Sequence, residues 1–172
     1  VEQLALQRHR QGGAVQAGQV ADAHAGHALA CPQGRRMNAP LVQLVDIPQR
    51  GDARGGLSVA ELGGALPFPV RRAYWIHGTH AGVSRGFHAH KMLRQLCVCV
   101  AGSVRLSLFD GRREESVVLD SSAKGLFIGP GLWREMHDFS PDCVLMVFAD
   151  AEYEEADYIR DRDQFIRHVH SS

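Results

Sequence analysis

The chain has 172 residues, which is enough for one domain with a core of its own and short for two. Hydrophobic residues make up 45%, as in ordinary globular proteins, and 19 basic against 19 acidic residues give a formal net charge of zero. This balance argues against a broad electrostatic surface for nucleic acid or an anionic membrane, although a phosphorylated small ligand needs only a few local cations. No stretch has the roughly 18 apolar residues of a transmembrane helix and no signal-peptide pattern stands at the start, so we expect a cytoplasmic protein.

Residues 1–36 differ in composition from the rest of the chain. They are rich in Ala, Gln, Gly and His and contain no Phe, Tyr, Trp or Ile, so they offer little for a core. We expect a disordered segment or a non-native extension that precedes a start at Met37, with residues 37–172 as a single domain. A metal cluster can be drawn from His24, His27 and Cys31, but in such a segment we disfavour it.

After residue 41 the sequence has the pattern of short strands separated by Gly, Asp and Pro turns. The turn at Asp110 and Gly111 is a good hairpin signal, and "QRGDARGG" (49–56) has the composition of a loop. The charged residues 151–169 are spaced for one or two short helices. This order indicates an all-β sandwich or barrel. Predicted strands cover 41–47, 57–62, 67–77, 87–100, 103–110, 115–120, 125–129 and 141–150.

The four cysteines favour buried thiols over disulfides. Cys97 and Cys99 stand two apart in an apolar run, so they face the same side of one strand and make a poor disulfide. With Cys31 and Cys143 they also lack the close spacing of a zinc site. We expect reduced cysteines.

The stretch "GVSRGFHAHKMLRQ" carries the strongest chemical signal. On a strand His88 and His90 face one side, and Gly82, the two histidines, Gln95 and Gly102 follow the spacing of the first cupin motif. That motif is Gly-x5-His-x-His-x4-Glu-x6-Gly, so the stretch resembles the cupin superfamily with Gln95 in place of the glutamate. A second motif, "KGLFIGPGLWREMHDF", places Arg134 where the fourth metal ligand aligns.

These two departures argue against a metal. A divalent transition metal prefers neutral imidazoles and an anionic oxygen, whereas Gln95 is a neutral amide and Arg134 is a permanent cation. His137, three residues later, is the alternative fourth ligand. Without a metal, paired imidazoles can take and return a proton near neutral pH. Arg85 and Lys91 then supply cations for an anionic ligand or an oxyanion, and Gln95 adds a polar contact.

Four segments resemble one family more closely. "RGFHAHK", "VAGSVRLSLFDG", "LDSSAKGLFIGPGLW" and "EMHDFSPDCVLMVFADAEYEEADYIRD" are similar to the sugar 3,4-ketoisomerases that act on dTDP-4-keto-6-deoxyglucose, the WxcM-like cupins. The similarity covers roughly residues 41–167. It implies a cupin double-stranded β-helix, or jelly-roll barrel, with short C-terminal helices. It also implies metal-independent movement of a ketone from C4 to C3 through an enediol(ate), in amino-deoxysugar biosynthesis for surface polysaccharides or glycosylated metabolites, by a homodimer with exchanged strands.

The resemblance also implies site residues. The catalytic base falls on His88, His90 is its neighbour in proton transfer, and Tyr74 matches an active-site tyrosine. Arg85 belongs to the family's Arg-Gly-x-His-Ala-His-Lys stretch. His77 stands where the family has an aromatic residue.

Further candidates have two interpretations each. Arg72 can clamp phosphate or end a strand, Glu61 can contact the sugar or lie at the barrel rim, and Trp133 can stack on thymine or pack in the core. Lys91, Gln95 and Arg134 complete the predicted substrate contacts. Tyr74 and Trp75 alternate, so only one of them faces the cavity. Tyr153 and Tyr158, in the acidic C-terminal run, are predicted to pack a helix.

Three other functions stay open at this point. A dTDP-sugar 3,5-epimerase of similar architecture would exchange protons at C3 and C5 and leave the ketone in place. A non-catalytic cupin would bind the sugar nucleotide unchanged. A metal-dependent oxygenase would need His137 as a ligand.

Overall fold

Twelve short strands dominate the computed structural model of this protein, which describes residues 39–80 and 82–171. The predictions for residues 1–36, including the His24, His27 and Cys31 cluster, lie outside the described residues. In chain order the strands are β1 Gln43–Asp46, β2 Gln49–Asp52, β3 Gly55–Ser58, β4 Arg72–Ile76, β5 Arg85–His90, β6 Gln95–Ala101, β7 Val104–Phe109, β8 Glu114–Leu119, β9 Lys124–Ile128, β10 Trp133–His137, β11 Val144–Ala149 and β12 Tyr158–Ile159.

Two five-stranded antiparallel sheets enclose the main core. The first has the order β1-β9-β6-β11-β4 and the second the order β12-β5-β10-β7-β8. Inward side chains of both sheets form one cluster, in which Cys97 and Leu145 of the first sheet meet Leu106 and Met136 of the second. This arrangement confirms the predicted all-β jelly-roll barrel.

Strand β6 shows why residues 96–101 form an unbroken apolar run. Cys97 and Cys99 point into the barrel, whereas Leu96 and Val98 point outward against Phe68 and its neighbours in the loop before β4. A strand that is buried on both faces needs apolar residues at every position. Cys97, Cys99 and Cys143 are buried free thiols, as predicted, and Cys31 lies outside the described residues.

The segment predicted as a loop at 49–56 is a hairpin instead. Strands β2 and β3 pair with each other from Gln49↔Ser58 to Asp52↔Gly55. The Asp52 Oδ1 atom accepts a hydrogen bond from the Arg54 N–H at 2.9 Å, and this side-chain turn reverses the chain. The strand predicted at 57–62 accordingly ends at Ser58.

The C-terminal region is partly helical, as predicted. A 3-10 turn covers Glu155–Asp157 and helix α1 covers Arg162–His170, with the Asp161 carboxylate capping the helix by accepting from the Gln164 N–H at 2.7 Å. Between them, Tyr158–Ile159 forms β12 rather than helix, because it pairs with the end of β5. No helix within residues 39–80 and 82–171 is long and apolar enough to cross a membrane.

Candidate active site

A distortion of β5 brings the two histidines to the mouth of the barrel. The pairing of β5 with β10 shifts register between Arg134 and Glu135, leaving Phe87 as the extra residue, with φ 49°. Gly86 has φ 93°, and a Cβ there would lie 2.9 Å from the Arg134 carbonyl oxygen, so only glycine fits. His88 then pairs with Arg134 and faces inward with it.

Both histidine rings have their Nδ1 atoms occupied. His88 Nδ1 lies 2.8 Å from the Gly86 carbonyl oxygen, and His90 Nδ1 lies 2.8 Å from the Asp157 carboxylate. Since both partners are acceptors, each Nδ1 donates its proton, and each Nε2 is left with a lone pair. The rings are perpendicular, with centroids 4.9 Å apart. Two neutral bases therefore stand side by side.

A buried guanidinium sets the electrostatics of the mouth. Arg134 is 0% exposed, and its Nε, Nη1 and Nη2 atoms have no hydrogen-bond partner among the described residues. Burial lowers the pKa of Arg134 to about 10. Burial, and then the Arg134 charge, lower the pKa of His88 to about 4 and that of His90 to about 3. An unpartnered buried cation is costly, so this one points to an anionic or electron-rich ligand.

Tyr74 and Gln95 form a second polar group on the opposite sheet. The Gln95 amide donates to the Tyr74 hydroxyl oxygen at 2.8 Å, which leaves the Tyr74 proton available for another acceptor. Burial raises the pKa of Tyr74, so the phenol is neutral. Trp75 faces outward and is 58% exposed, which confirms that only one of the two aromatic residues faces the cavity.

Sequence reasoning missed Tyr158 and Asp157. The prediction that Tyr158 packs a helix is wrong, because it pairs with His90 across β12 and β5, and its ring lies 4.2 Å from that of His90 and 5.0 Å from that of His88. Sixty-seven positions separate Asp157 from His90, so no local pattern signals their contact. Tyr153 is 59% exposed beside Glu155 rather than packed in a helix.

A pocket of about 420 Å³ opens beside His90, within the size range of small-molecule sites. The Arg72 guanidinium lies in its wall, 5.3 Å from the Tyr74 ring centroid, and the Arg72 Nε atom is buried without a hydrogen-bond partner in the described chain. Other lining residues are His90, Met92, Leu93, Asp150, Ala151, Glu152, Glu154, Asp157 and Tyr158. Of the predicted site residues, the structure thus brings together six: His88, His90, Tyr74, Gln95, Arg72 and Arg134.

Four predicted substrate contacts lie elsewhere. Trp133 is 4% exposed and packs on Phe165 of α1 on the outer face of the second sheet, because it alternates with the inward Arg134. The prediction that Trp133 packs in the core is therefore confirmed, and its stacking on thymine is not supported. Glu61 is exposed in the loop over the outer face of the first sheet, where its carbonyl accepts from the Gly64 and Leu66 N–H groups.

Lys91 and Arg85 are both exposed, and neither lines the pocket beside His90. Lys91 Nζ donates to the Ala156 carbonyl oxygen at 2.6 Å, so it holds the C-terminal segment rather than a ligand. Arg85 is exposed at the start of β5, on the far side of the bulge from His88. The predicted substrate contacts of these two residues are therefore not supported in this chain.

His137 is unsuited to replace Arg134 as a ligand. It stands three residues beyond an inward position and faces outward, where its Nε2 lies 3.1 Å from Glu135 and its Nδ1 lies 2.8 Å from the Ser84 hydroxyl. Within the described ranges, no group of three or more His, Cys, Asp or Glu side chains is arranged to hold a metal. The metal-free chemistry itself stays a prediction.

The sequence matches the family described as "FdtA: WxcM-like, C-terminal" over residues 40–170. It is 48% identical, over 118 residues, to the TDP-4-oxo-6-deoxy-alpha-D-glucose-3,4-oxoisomerase of Aneurinibacillus thermoaerophilus, covering 69% of this chain and 85% of that protein. The fold resembles the sugar 3,4-ketoisomerase QdtA of Thermoanaerobacterium thermosaccharolyticum in complex with TDP, with TM-score 0.74 and 37% identity over 76% of this chain and 96% of QdtA.

An epimerase is more distant. The rmlC epimerase of Mycobacterium tuberculosis has TM-score 0.59 and 22% identity over 72% of this chain and 70% of its own, a likeness that shows the fold alone. A variant of QdtA is also known in complex with TDP-4-keto-6-deoxyglucose, with the same TM-score of 0.74. The comparisons therefore favour the isomerases over the epimerases.

Proposed function

The chain belongs to the WxcM-like FdtA family, and from this membership we propose that it is a 3,4-ketoisomerase acting on dTDP-4-keto-6-deoxyglucose. The observation that carries the proposal is the pair of inward histidines. Each donates a hydrogen bond from Nδ1 and has its Nε2 lone pair free to accept a proton. Keto migration needs one base for a carbon and one for an oxygen, and two adjacent neutral imidazoles meet that need.

The reaction begins with removal of the C3 proton, which the C4 ketone makes acidic. The Nε2 atom of His88 takes this proton, and the C3–H electron pair moves to form an enediolate with negative charge on the C4 oxygen. The hydroxyl proton at C3 then moves to the C4 oxygen by way of His90. His88 returns its proton to C4, which leaves the ketone at C3. No electron acceptor is needed, because the substrate is oxidised at C3 and reduced at C4.

Arg134 and Tyr74 stabilise the negative oxygen in this scheme. Arg134 keeps its positive charge in a buried site. Its three nitrogens have no hydrogen-bond partner among the described residues, so they can donate without first breaking other hydrogen bonds. Tyr74 has its oxygen engaged by Gln95 and its proton available. Burial first, and then the Arg134 charge, lower the pKa of both histidines, so both are neutral at physiological pH and their Nε2 lone pairs are available to accept a proton.

The direct test is incubation of the protein with dTDP-4-keto-6-deoxyglucose in D₂O, followed by proton NMR. We expect a 3-keto product with no deuterium at C5. Deuterium at C5 with the ketone still at C4 would instead establish the epimerase. Binding without any change of the sugar would establish the non-catalytic reading.

We also propose that the protein is a homodimer with exchanged strands. All residues of β2 and β3 are exposed, and within the described chain the hairpin belongs to neither five-stranded sheet. Strand β4, which carries Tyr74, ends the first sheet, and no other strand of the described residues pairs with its outer edge. Trp75 on this strand is exposed. An open edge and an unpaired hairpin in one chain are complementary between two copies. Light scattering should give twice the chain mass; a monomer at micromolar concentration contradicts this proposal.

We also propose residues 37–172 as the catalytic domain of a cytoplasmic protein. The family match over 40–170 supports the domain. Buried free thiols at Cys97, Cys99 and Cys143 are what we expect of a protein in a reducing compartment. A truncated chain that starts at Met37 should keep full activity.

A further inference from the structure

Asp157 holds the chain around His90 through three hydrogen bonds. Its Oδ2 atom accepts from His90 Nδ1 at 2.8 Å, and its Oδ1 atom accepts from the Met92 N–H at 2.8 Å. Its carbonyl oxygen accepts from the Lys91 N–H at 3.0 Å. Both carboxylate oxygens are therefore engaged, and the carboxylate has one fixed orientation.

This orientation determines where His90 carries its proton. A carboxylate only accepts, so His90 donates from Nδ1 and the lone pair lies on Nε2. His90 is 0% exposed, and Nε2 has no hydrogen-bond partner among the described residues. A buried ring nitrogen without a hydrogen-bond partner lowers the stability of the folded protein unless a ligand reaches it. The pocket beside His90 gives a ligand that access.

The two histidines differ in the charge of the group behind them. His88 donates to the neutral Gly86 carbonyl, whereas His90 donates to the Asp157 carboxylate. The other groups that act on His90 are Arg134, His88 and the Tyr158 ring. Of the two histidines at the mouth, His90 is the one that donates to an anion, and this anion stabilises an imidazolium for the short time that it exists.

We propose that Asp157 is a positioning residue of this ketoisomerase, which fixes the Nδ1–H tautomer of His90 and lets His90 carry a proton between the two sugar oxygens. The inference rests on the proposed function. The bond between the C3 oxygen and its proton breaks as an N–H bond forms at Nε2. That bond then breaks as the C4 oxygen takes the proton, while Asp157 stays ionised throughout.

The variant Asp157→Asn separates this role from simple support of the fold. Its amide oxygen still accepts from the Met92 N–H, and its NH₂ group then faces His90 Nδ1. His90 must accept there and carry its proton on Nε2, which is the wrong tautomer for taking a proton from the substrate. We expect kcat to fall about 10³-fold while KM changes less than threefold.

Asp161→Asn is the matched control. It makes the same chemical change four residues further on, and asparagine caps a helix about as well as aspartate. Its kcat should stay within twofold of the unchanged protein. Asp157→Glu keeps a carboxylate and should recover part of the activity lost in Asp157→Asn.

The tautomer is measured without substrate by ¹⁵N NMR of histidine-labelled protein, with the His90 signals assigned by their loss in His90→Asn. We expect a proton on Nδ1 in the unchanged protein and on Nε2 in Asp157→Asn. A proton on Nε2 in the unchanged protein overturns the inference even if the variant does not fold, as does a folded Asp157→Asn with normal kcat. An unchanged protein that binds but does not isomerise the sugar overturns the proposed function, while the NMR result still reports on the tautomer.

Discussion

The two ends of the barrel interior bury different kinds of side chain, apolar at one end and polar at the other. At one end Cys99, Val104 and Leu145 are packed among apolar neighbours. At the other end, Gln95 of β6 and Arg134 of β10 are equally buried, but their side chains are polar. The closed end contributes stability through burial, whereas the mouth keeps polar atoms without partners at a cost in stability. The comparison indicates that the destabilising polar atoms are placed at the mouth, where a ligand can bind them.

The largest effect should come from the mouth. His88→Asn keeps a polar side chain of similar shape and removes the base, so we expect turnover to fall at least 10⁴-fold with binding of dTDP retained. Proton NMR of the sugar and calorimetric titration with dTDP measure the two quantities. Near-normal turnover would remove His88 as the base.

Arg134→Met should move activity and stability in opposite directions. Loss of the buried cation lowers kcat by about 10³-fold. Replacing an unpartnered charge by an apolar side chain of similar length raises the free energy of unfolding by about 1–4 kcal/mol. Urea unfolding and steady-state kinetics check both changes. A destabilised Arg134→Met protein would mean that Arg134 is structural, as at the closed end.

Leu145→Ala is the reverse experiment at the closed end. Leu145 is 0% exposed in the main core, and the cavity should lower the free energy of unfolding by about 3 kcal/mol. The kcat per folded molecule should stay within about twofold, because Leu145 pairs with Cys99 and not with any residue of the mouth. A large loss of kcat would show that the two ends are not independent.

The last prediction is a pH dependence of stability that arises from the two histidines at the mouth. The folded protein binds fewer protons than the unfolded chain between pH 6.5 and about 4, since the pKa values of His88 and His90 are lowered. Stability should therefore fall as the pH falls through this range, by up to about 1.4 kcal/mol per pH unit for each histidine. Urea unfolding at pH 7, 6 and 5 measures the slope, and His88→Asn with His90→Asn should flatten it. An unchanged slope would place its origin outside the mouth.

The sequence by itself determined the architecture and identified six residues of the site, but it did not indicate Asp157 and Tyr158. Alternation and turns predicted most strands, and the His-x-His spacing placed His88 and His90 on one face. Gln95 and Arg134, which stand where the cupin motifs have two metal ligands, indicated proton transfer rather than metal binding. The hairpin at 49–58 was missed because its residues are polar and glycine-rich, and it buries nothing within its own chain. Its strands exist through a turn and backbone pairing, which hydrophobic patterns do not record.

Only the tertiary structure decided which polar residues share the mouth. Trp133 and Arg134 are adjacent in the chain and end on opposite faces of one sheet, so alternation sent the first to the core and the second to the site. Asp157 and Tyr158 reach the histidines because β12 adds to the edge of β5 across 67 intervening positions. Strand periodicity is a local property and can be read from the sequence, whereas the contacts that set a tautomer or isolate a charge depend on long-range pairing.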